Sequence, residues 1–171
     1  ASTTEDTTYF YETAPSNQWA LLLWLESDRM KALEIDSAKV QRSKQALFDE
    51  VAQRKSGEPY FESSLVFDRL LYSDFAHSHP ILGSEEDVKS LTLEDVKNFY
   101  TTFYVPNNAV LAIVGRFDPT KVKELIERYF GTISGGKEVP ASPTWKRPDR
   151  KQVVQVFKES LASAPAFHLG Y

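Results

Sequence analysis

The chain has 171 residues, 42% of them apolar and 26% charged, with 11 Phe, 8 Tyr and 3 Trp. That is enough apolar bulk for a folded domain with its own core, and it excludes a disordered segment. A net charge of −4 and a pI near 5.4 leave no basic stripe to neutralise nucleic-acid phosphates. With no cysteine, disulfides, thiolate metal sites and cysteine nucleophiles are excluded, and no apolar run approaches the ~20 residues of a membrane helix.

The chain opens on Ala1-Ser2-Thr3-Thr4 without a Met or a visible signal peptide, which reads as a trimmed, processed or excised start. Thr7-Thr8-Tyr9-Phe10-Tyr11 is β-branched and aromatic and predicts a strand closed by Pro15. Ser16 or Asn17 can cap a helix reaching about Ile35. Its first half, Trp19 to Leu25, is apolar nearly all round and so predicts burial on most sides.

Asp36 or Ser37 starts the next helix, which runs to about Arg54 before Ser56-Gly57 and Pro59. Val40, Lys44, Leu47 and Val51 share one stripe, where the lysine methylenes can cover apolar surface. Glu50 sits on the shoulder of that stripe. A third helix is predicted over Phe61 to Tyr72, with Leu65, Val66, Phe67 and Leu70 inward, and Asp74 to Gly83 reads as a loop.

Thr92-Leu93-Glu94-Asp95 resembles a capping box. Val96, Phe99, Tyr100 and Phe103 then recur with helical spacing. Pro106-Asn107-Asn108 is a turn. Ala109 to Val114 is a continuous apolar run and predicts a strand buried on both faces. Asp118-Pro119 opens a helix with Val122, Leu125, Ile126, Tyr129 and Phe130 inward and Gly131 as its stop.

Residues 135–149, with Pro140, Ser142, Pro143 and Pro148, predict a stiff surface linker. The basic cluster Lys146-Arg147 and Arg150-Lys151 reads as solvated. Gln152 to Phe157 and Ala166 to Leu169 are further strand candidates, and the chain stops at Tyr171 within the latter. Both ends therefore read as cut from something longer. No internal repeat is present. The fold class on these grounds is α/β (α+β), a mixed or antiparallel sheet packed against helices.

Chemistry is sparse. His77 and His79 alternate in a loop beside Pro80, which favours loop hydrogen bonding over metal binding, and His168 lies in a strand candidate. No G-x-S-x-G, no phosphate-binding glycine loop and no H-E-x-x-H is present. On the residues alone, Glu50 is one helical acid among many, with a solvated face as its default reading.

Several segments, in order, resemble the pitrilysin or insulinase family of zinc peptidases, whose motif is H-x-x-E-H. Ala1 to Tyr9 resembles the family's N-A-x-T-x-x-x-T-x-Y segment without its Asn. Leu23-Trp24-Leu25-Glu26-Ser27-Asp28-Arg29-Met30 resembles the bacterial L-W-x-E-x-D-R-M helix. Glu50 followed by Gly57-Glu58-Pro59-Tyr60 has the spacing of the distal zinc ligand to N-x-P-Y. His79-Pro80-Ile81-Leu82-Gly83 resembles H-P-x-x-G. Tyr104 to Ala109, Ile113-Val114-Gly115 and Tyr129-Phe130-Gly131 match the close of the first homologous domain. One departure is Ser43, seven residues before Glu50, where many members carry a second acid.

The resemblance implies a zinc-dependent metalloendopeptidase of the processing-peptidase-like branch. Two histidines and a distal glutamate hold Zn²⁺, and the motif's own Glu is the general base. Glu50 would be the metal ligand supplied here. H-x-x-E-H, and with it the catalytic base, would precede Ala1, so this chain alone is expected to be inactive and metal-free. Ala1, Ser2, Thr3 and Thr4 would form the edge strand that pairs with peptide substrates through backbone hydrogen bonds. Residues 1–134 would be the C-terminal part of the first, zinc-bearing homologous domain, 135–149 a linker, and 150–171 the first strands of the second. Partners implied are peptide or unfolded-protein substrates, the second domain or a paralogous subunit, and a homodimer through open sheet edges. Bacterial members imply a periplasmic or otherwise exported location. The alternatives are a non-catalytic, peptide-binding paralogue and an unrelated helix-rich interaction module. The latter would lack a sheet containing residues 7–11 and 109–114.

Overall fold

The computed structural model of the chain describes residues 1–141, 144 and 152–171. Two-residue strands β1 (Ser2–Thr3) and β2 (Thr8–Tyr9) pair as a hairpin. Seven helices follow: α1 (Trp19–Ala32), α2 (Ser37–Gly57), α3 (Phe61–Leu71), α4 (Phe75–Ser78), α5 (Glu85–Ser90), α6 (Leu93–Phe103) and, after a 3₁₀ turn at Pro106–Asn108, α7 (Pro119–Phe130).

The described residues are therefore mostly helical, with a single two-stranded sheet: the helices of the α/β (α+β) expectation are present, and its larger mixed sheet is not seen among the described residues. Of residues 7–11 only Thr8 and Tyr9 are in a strand. Residues 109–114, 152–157 and 166–171 lie outside any helix and pair with no strand among the described residues. A strand is defined by its ladder partner, and β propensity cannot create one. The consequence is visible in exposure: Val110 is 97% and Val114 91% exposed, in a segment whose apolar composition suits burial on both faces. Of the expected 135–149 linker, Ser142, Pro143 and residues 145–149 lie outside the described residues, as do Arg150 and Lys151 of the basic cluster.

The helix boundaries follow local chemistry. The Asp36 carboxylate accepts from the Lys39 N–H at 2.7 Å and so caps α2. Thr92 and Asp95 form the full capping box of α6, with Asp95 substituting for the usual longer acid. Asp118 accepts from the Thr120 and Lys121 N–H groups, with Pro119 at the first helical position of α7. Ser16 and Asn17 do not cap α1. Gln18 stands at its N-cap and makes no side-chain cap bond.

The chain forms two compact units. The first comprises residues 1–2, 9–40 and 92–141. Here α1 packs against α7. Trp19 donates its indole N–H to the Arg116 carbonyl at 3.2 Å and sets its ring edge-on to Phe117. Gly115, at φ +141°, sits in a conformation side chains rarely adopt, and a Cβ there would also meet the Trp19 ring. Leu23 at 3% exposure and Ser27 are the buried positions of α1, and Val122 is the buried position of α7. Leu21, Trp24 and Leu25 stay exposed, so α1 is buried along one stripe and not on most sides as its composition predicts. The Tyr100 hydroxyl ties α6 to the end of α1, within bonding distance of the Arg29 and Met30 carbonyls at 2.7 and 2.8 Å.

Gly136 makes the tightest approach in this unit. The Asn107 side chain brackets it, accepting from the Gly136 N–H at 2.9 Å and donating to the Lys137 carbonyl at 3.3 Å. A Cβ at Gly136 would lie 2.6 Å from Val105 Cγ1 and 2.9 Å from its Cβ, and Val105 is buried. Gly136→Ala is expected to cost about 2 kcal/mol, because neither the branched stem of Val105 nor the bracketed backbone can move aside freely. Thermal unfolding of the variant checks this.

The second unit comprises residues 3–8, 41–91 and 142–171. Helix α5 lies outside the sequence-predicted elements, although Ser84 caps it by accepting from the Asp87 N–H and its first turn carries Glu85, Glu86 and Asp87. Asp74 to Gly83 is not wholly a loop, because Phe75–Ser78 completes one helical turn. Lys44 is only 9% exposed, and its ammonium donates to the carbonyls of Lys89 at 3.1 Å and Leu91 at 2.5 Å, at the end of α5. A cation there also meets the negative end of the helix dipole.

Candidate metal-ligand helix and substrate strand

Helix α2 presents Glu50. Four turns of unbroken helix precede it from the Asp36 cap, and Lys44 anchors the same stripe to α5, so Glu50 stands on a fixed support. Its side chain is 44% exposed, and Oε1 accepts from Arg54 Nη2 at 2.9 Å one turn later. Glu50, Gln53, Arg54, Gly57 and Glu58 line one shallow concavity. Downstream, the Glu58 N–H bonds to the Arg54 carbonyl, and Pro59 leads into Tyr60 at φ 66°. Ser43, one helical step before Lys44, is exposed and offers Glu50 no carboxylate neighbour.

The other chemistry-bearing groups are engaged elsewhere. His77 Nδ1 pairs with Asp74 Oδ1 at 2.5 Å, and the imidazole stacks on Tyr72. That hydrogen bond holds the Asp74 carboxyl below the usual range. His168 packs its ring 5.5 Å from Phe67. Among the described residues, no three His, Asp or Glu side chains converge as a metal site.

Ala1, Ser2, Thr3 and Thr4 are all exposed. Their recorded bonds stay within the hairpin: Thr3 and Thr8 hydroxyls meet at 3.2 Å, and the Thr4 N–H and hydroxyl both reach the Thr7 carbonyl. As half of a two-stranded sheet, β1 keeps one backbone edge unpaired, which is the geometry strand addition requires.

One charged network joins residues distant in sequence. Arg29 Nη2 contacts Glu12 at 3.2 Å, Nη1 contacts Glu26 at 3.0 Å, and the guanidinium lies 4.8 Å from the Phe10 ring centre. Burial raises the Glu26 carboxyl, with Arg29 opposing and Glu12 adding to the rise. The Glu26–Arg29 half was legible as an i, i+3 pair in the Leu23–Met30 segment. The contact to Glu12 is not local and left no signal.

Residues 90–170 match the family model described as the peptidase M16 inactive domain. The chain is 28% identical over 167 residues to a zinc protease PqqE of Helicobacter pylori, covering 94% of this chain and 37% of the relative. It is 27% identical over 151 residues to the bovine mitochondrial-processing peptidase subunit beta, covering 85% of this chain and 30% of that protein. A crystal structure of a protease from Helicobacter pylori superposes with a TM-score of 0.67 at 23% identity, over 77% of this chain and 32% of that one. The chain is similar, through most of its length, to pitrilysin/insulinase-like zinc peptidases. It spans about a third of the length of these curated relatives. Absence of a 109–114 strand would have favoured a helix-rich module on the sheet test alone. The family likeness, running through nearly the whole chain, overrides that test. The match to the inactive-domain model begins at Ser90, so Glu50 and the Ala1–Thr4 strand lie outside it.

Proposed function

We propose that this chain is the part of a zinc-dependent metalloendopeptidase that contributes one metal-ligating carboxylate, Glu50, and one substrate-pairing strand, Ala1–Thr4. The observation that carries the reading is Glu50 itself: a solvent-reachable carboxylate on a long capped helix, nine residues before Pro59-Tyr60, in a chain similar to named zinc proteases. The substrates are peptides or unfolded proteins, engaged through the open edge of β1. Residues 1–134 complete the zinc-bearing domain, 135–149 connect, and 150–171 begin the second homologous domain.

The described residues do not make a zinc site by themselves. Catalytic zinc takes three protein donors, whereas Glu50 is a lone carboxylate already paired with Arg54. The remaining donors belong elsewhere in the whole protein. Calorimetry on residues 1–171 is accordingly expected to show no tight stoichiometric zinc binding, and a tight site abolished by Glu50→Gln would overturn this. The decisive experiment is metal analysis of the whole protein and its Glu50→Gln variant.

A second reading is a non-catalytic, peptide-binding paralogue. The match to a domain described as inactive favours it, as does the neutralisation of Glu50 by Arg54. In either case the unpaired apolar segments at 109–114 and 152–157 should drive self-association of residues 1–171. Light scattering is expected to give a mass that rises with concentration, and a strict monomer throughout would count against it.

A further inference from the structure

Within the second unit, residues 159–170 run against α3. The Ser63 N–H, in the first turn of α3, donates to Glu159 Oε1 at 2.7 Å across 96 residues of sequence. The Tyr60 hydroxyl donates to the Ala164 carbonyl at 2.5 Å. His168 packs on Phe67, and Gly170 lies so close that a Cβ there would meet Leu71 Cδ1 at 2.6 Å and Phe67 Cζ at 2.9 Å. Residues 159–164 turn against the start of α3, and His168 and Gly170 reach its middle and end, so one continuous segment lies along the helix.

The start of α3 needs such a partner. Its N-cap, Tyr60, makes no side-chain cap bond and holds φ 66°, a left-handed conformation unfavourable for a bulky residue. The first intrahelical bond is Ser64 N–H to the Tyr60 carbonyl, so the Ser63 N–H has no partner within the helix. Glu159 supplies the missing acceptor, with a negative charge at the positive end of the helix. Bonds from Ser63 in turn hold the Glu159 carboxyl below the usual glutamate range.

We infer that residues 159–170 act as a latch that caps α3 from a distance and fixes the strained Tyr60 turn, fastened by Glu159 on Ser63 and by Tyr60 on Ala164. Tyr60 follows Glu58-Pro59 at the close of α2, so the latch sets the geometry of the α2–α3 turn. Glu159 and Tyr60 act together, because each bond keeps the turned segment 159–164 in place for the other.

The test is site-resolved amide hydrogen exchange on the intact chain. The Ser63 amide is its specific reporter, since Glu159 is its partner. Glu159→Ala is expected to speed Ser63 exchange by at least about tenfold, while Lys44-anchored α2 and α5 keep their protection. Tyr60→Phe removes one hydroxyl and leaves the Glu159 contact chemically intact, yet it is expected to speed Ser63 exchange as well. Unchanged Ser63 exchange in Glu159→Ala would overturn the latch. So would a Tyr60→Phe effect confined to residues 164–168, because the two fastenings would then be independent.

Discussion

Replacing Lys44 by alanine is expected to destabilise the chain by about 3 kcal/mol. Two losses add. The four-carbon stem of Lys44 is buried with Val40 on the inward stripe of α2, and its removal uncovers that surface. The ammonium also leaves the Lys89 and Leu91 carbonyls, which are the unpaired acceptors at the end of α5. Hydrogen bonds from a charged donor are worth about 1.5–3 kcal/mol each at most. Lys89 and Leu91 are exposed residues, so water replaces part of what is lost and the sum stays near the lower figure. Lys44→Met separates the terms, keeping the stem and losing the charge. It is expected to cost about half as much as Lys44→Ala. Each kcal/mol should lower the melting temperature by roughly 2–4 °C in a chain of this size. A Lys44→Met variant as stable as the parent would show that the carbonyl contacts contribute nothing.

Lys44 also illustrates where sequence reasoning stops. Its place on the apolar stripe was legible, and so was cover by its methylenes. The helix end that its ammonium reaches lies 45 and 47 residues away, and no local pattern encodes that meeting. Signals within one turn are legible for the same reason. Thr92 with Asp95, Asp118 with Pro119, and the inward position of Val122 are decided by neighbours within four residues. Helix α5 fell below the threshold because its six residues offer one buried apolar position, Val88, too few to show a period. The predicted strands failed on partnership. Ala109 to Val114 has the composition of a central strand, but composition names no partner, and none is present among the described residues.

The candidate site divides along the same line. The Glu50–Arg54 pair was available from i, i+4 spacing. The singling out of Glu50 among the helical acids came from the order of motifs and the distance to Pro59-Tyr60, since its burial and charge alone are ordinary. The Glu159–Ser63 contact and the Glu12–Arg29 contact bridge 96 and 17 residues and were invisible.

In the whole protein, Glu50→Gln is expected to lower zinc affinity by at least about 100-fold, or about 2.7 kcal/mol. Glutamine keeps the shape of the side chain and loses the charge that makes a carboxylate a zinc ligand. The substitution should leave folding almost untouched. The Glu50–Arg54 pair is an i, i+4 contact with both side chains more than two-fifths exposed, and such pairs contribute only about 0.3–0.5 kcal/mol before screening by salt. Zinc content and melting temperature therefore separate the two roles of Glu50. Stoichiometric zinc in the parent and its loss in a variant that melts normally is the expected pair of results. Zinc retained by Glu50→Gln would remove Glu50 from the ligand set while leaving the protein a metalloenzyme. A parent that carries no zinc at all, yet still binds unfolded peptide, would instead select the non-catalytic reading and leave Arg54 as the lasting partner of Glu50.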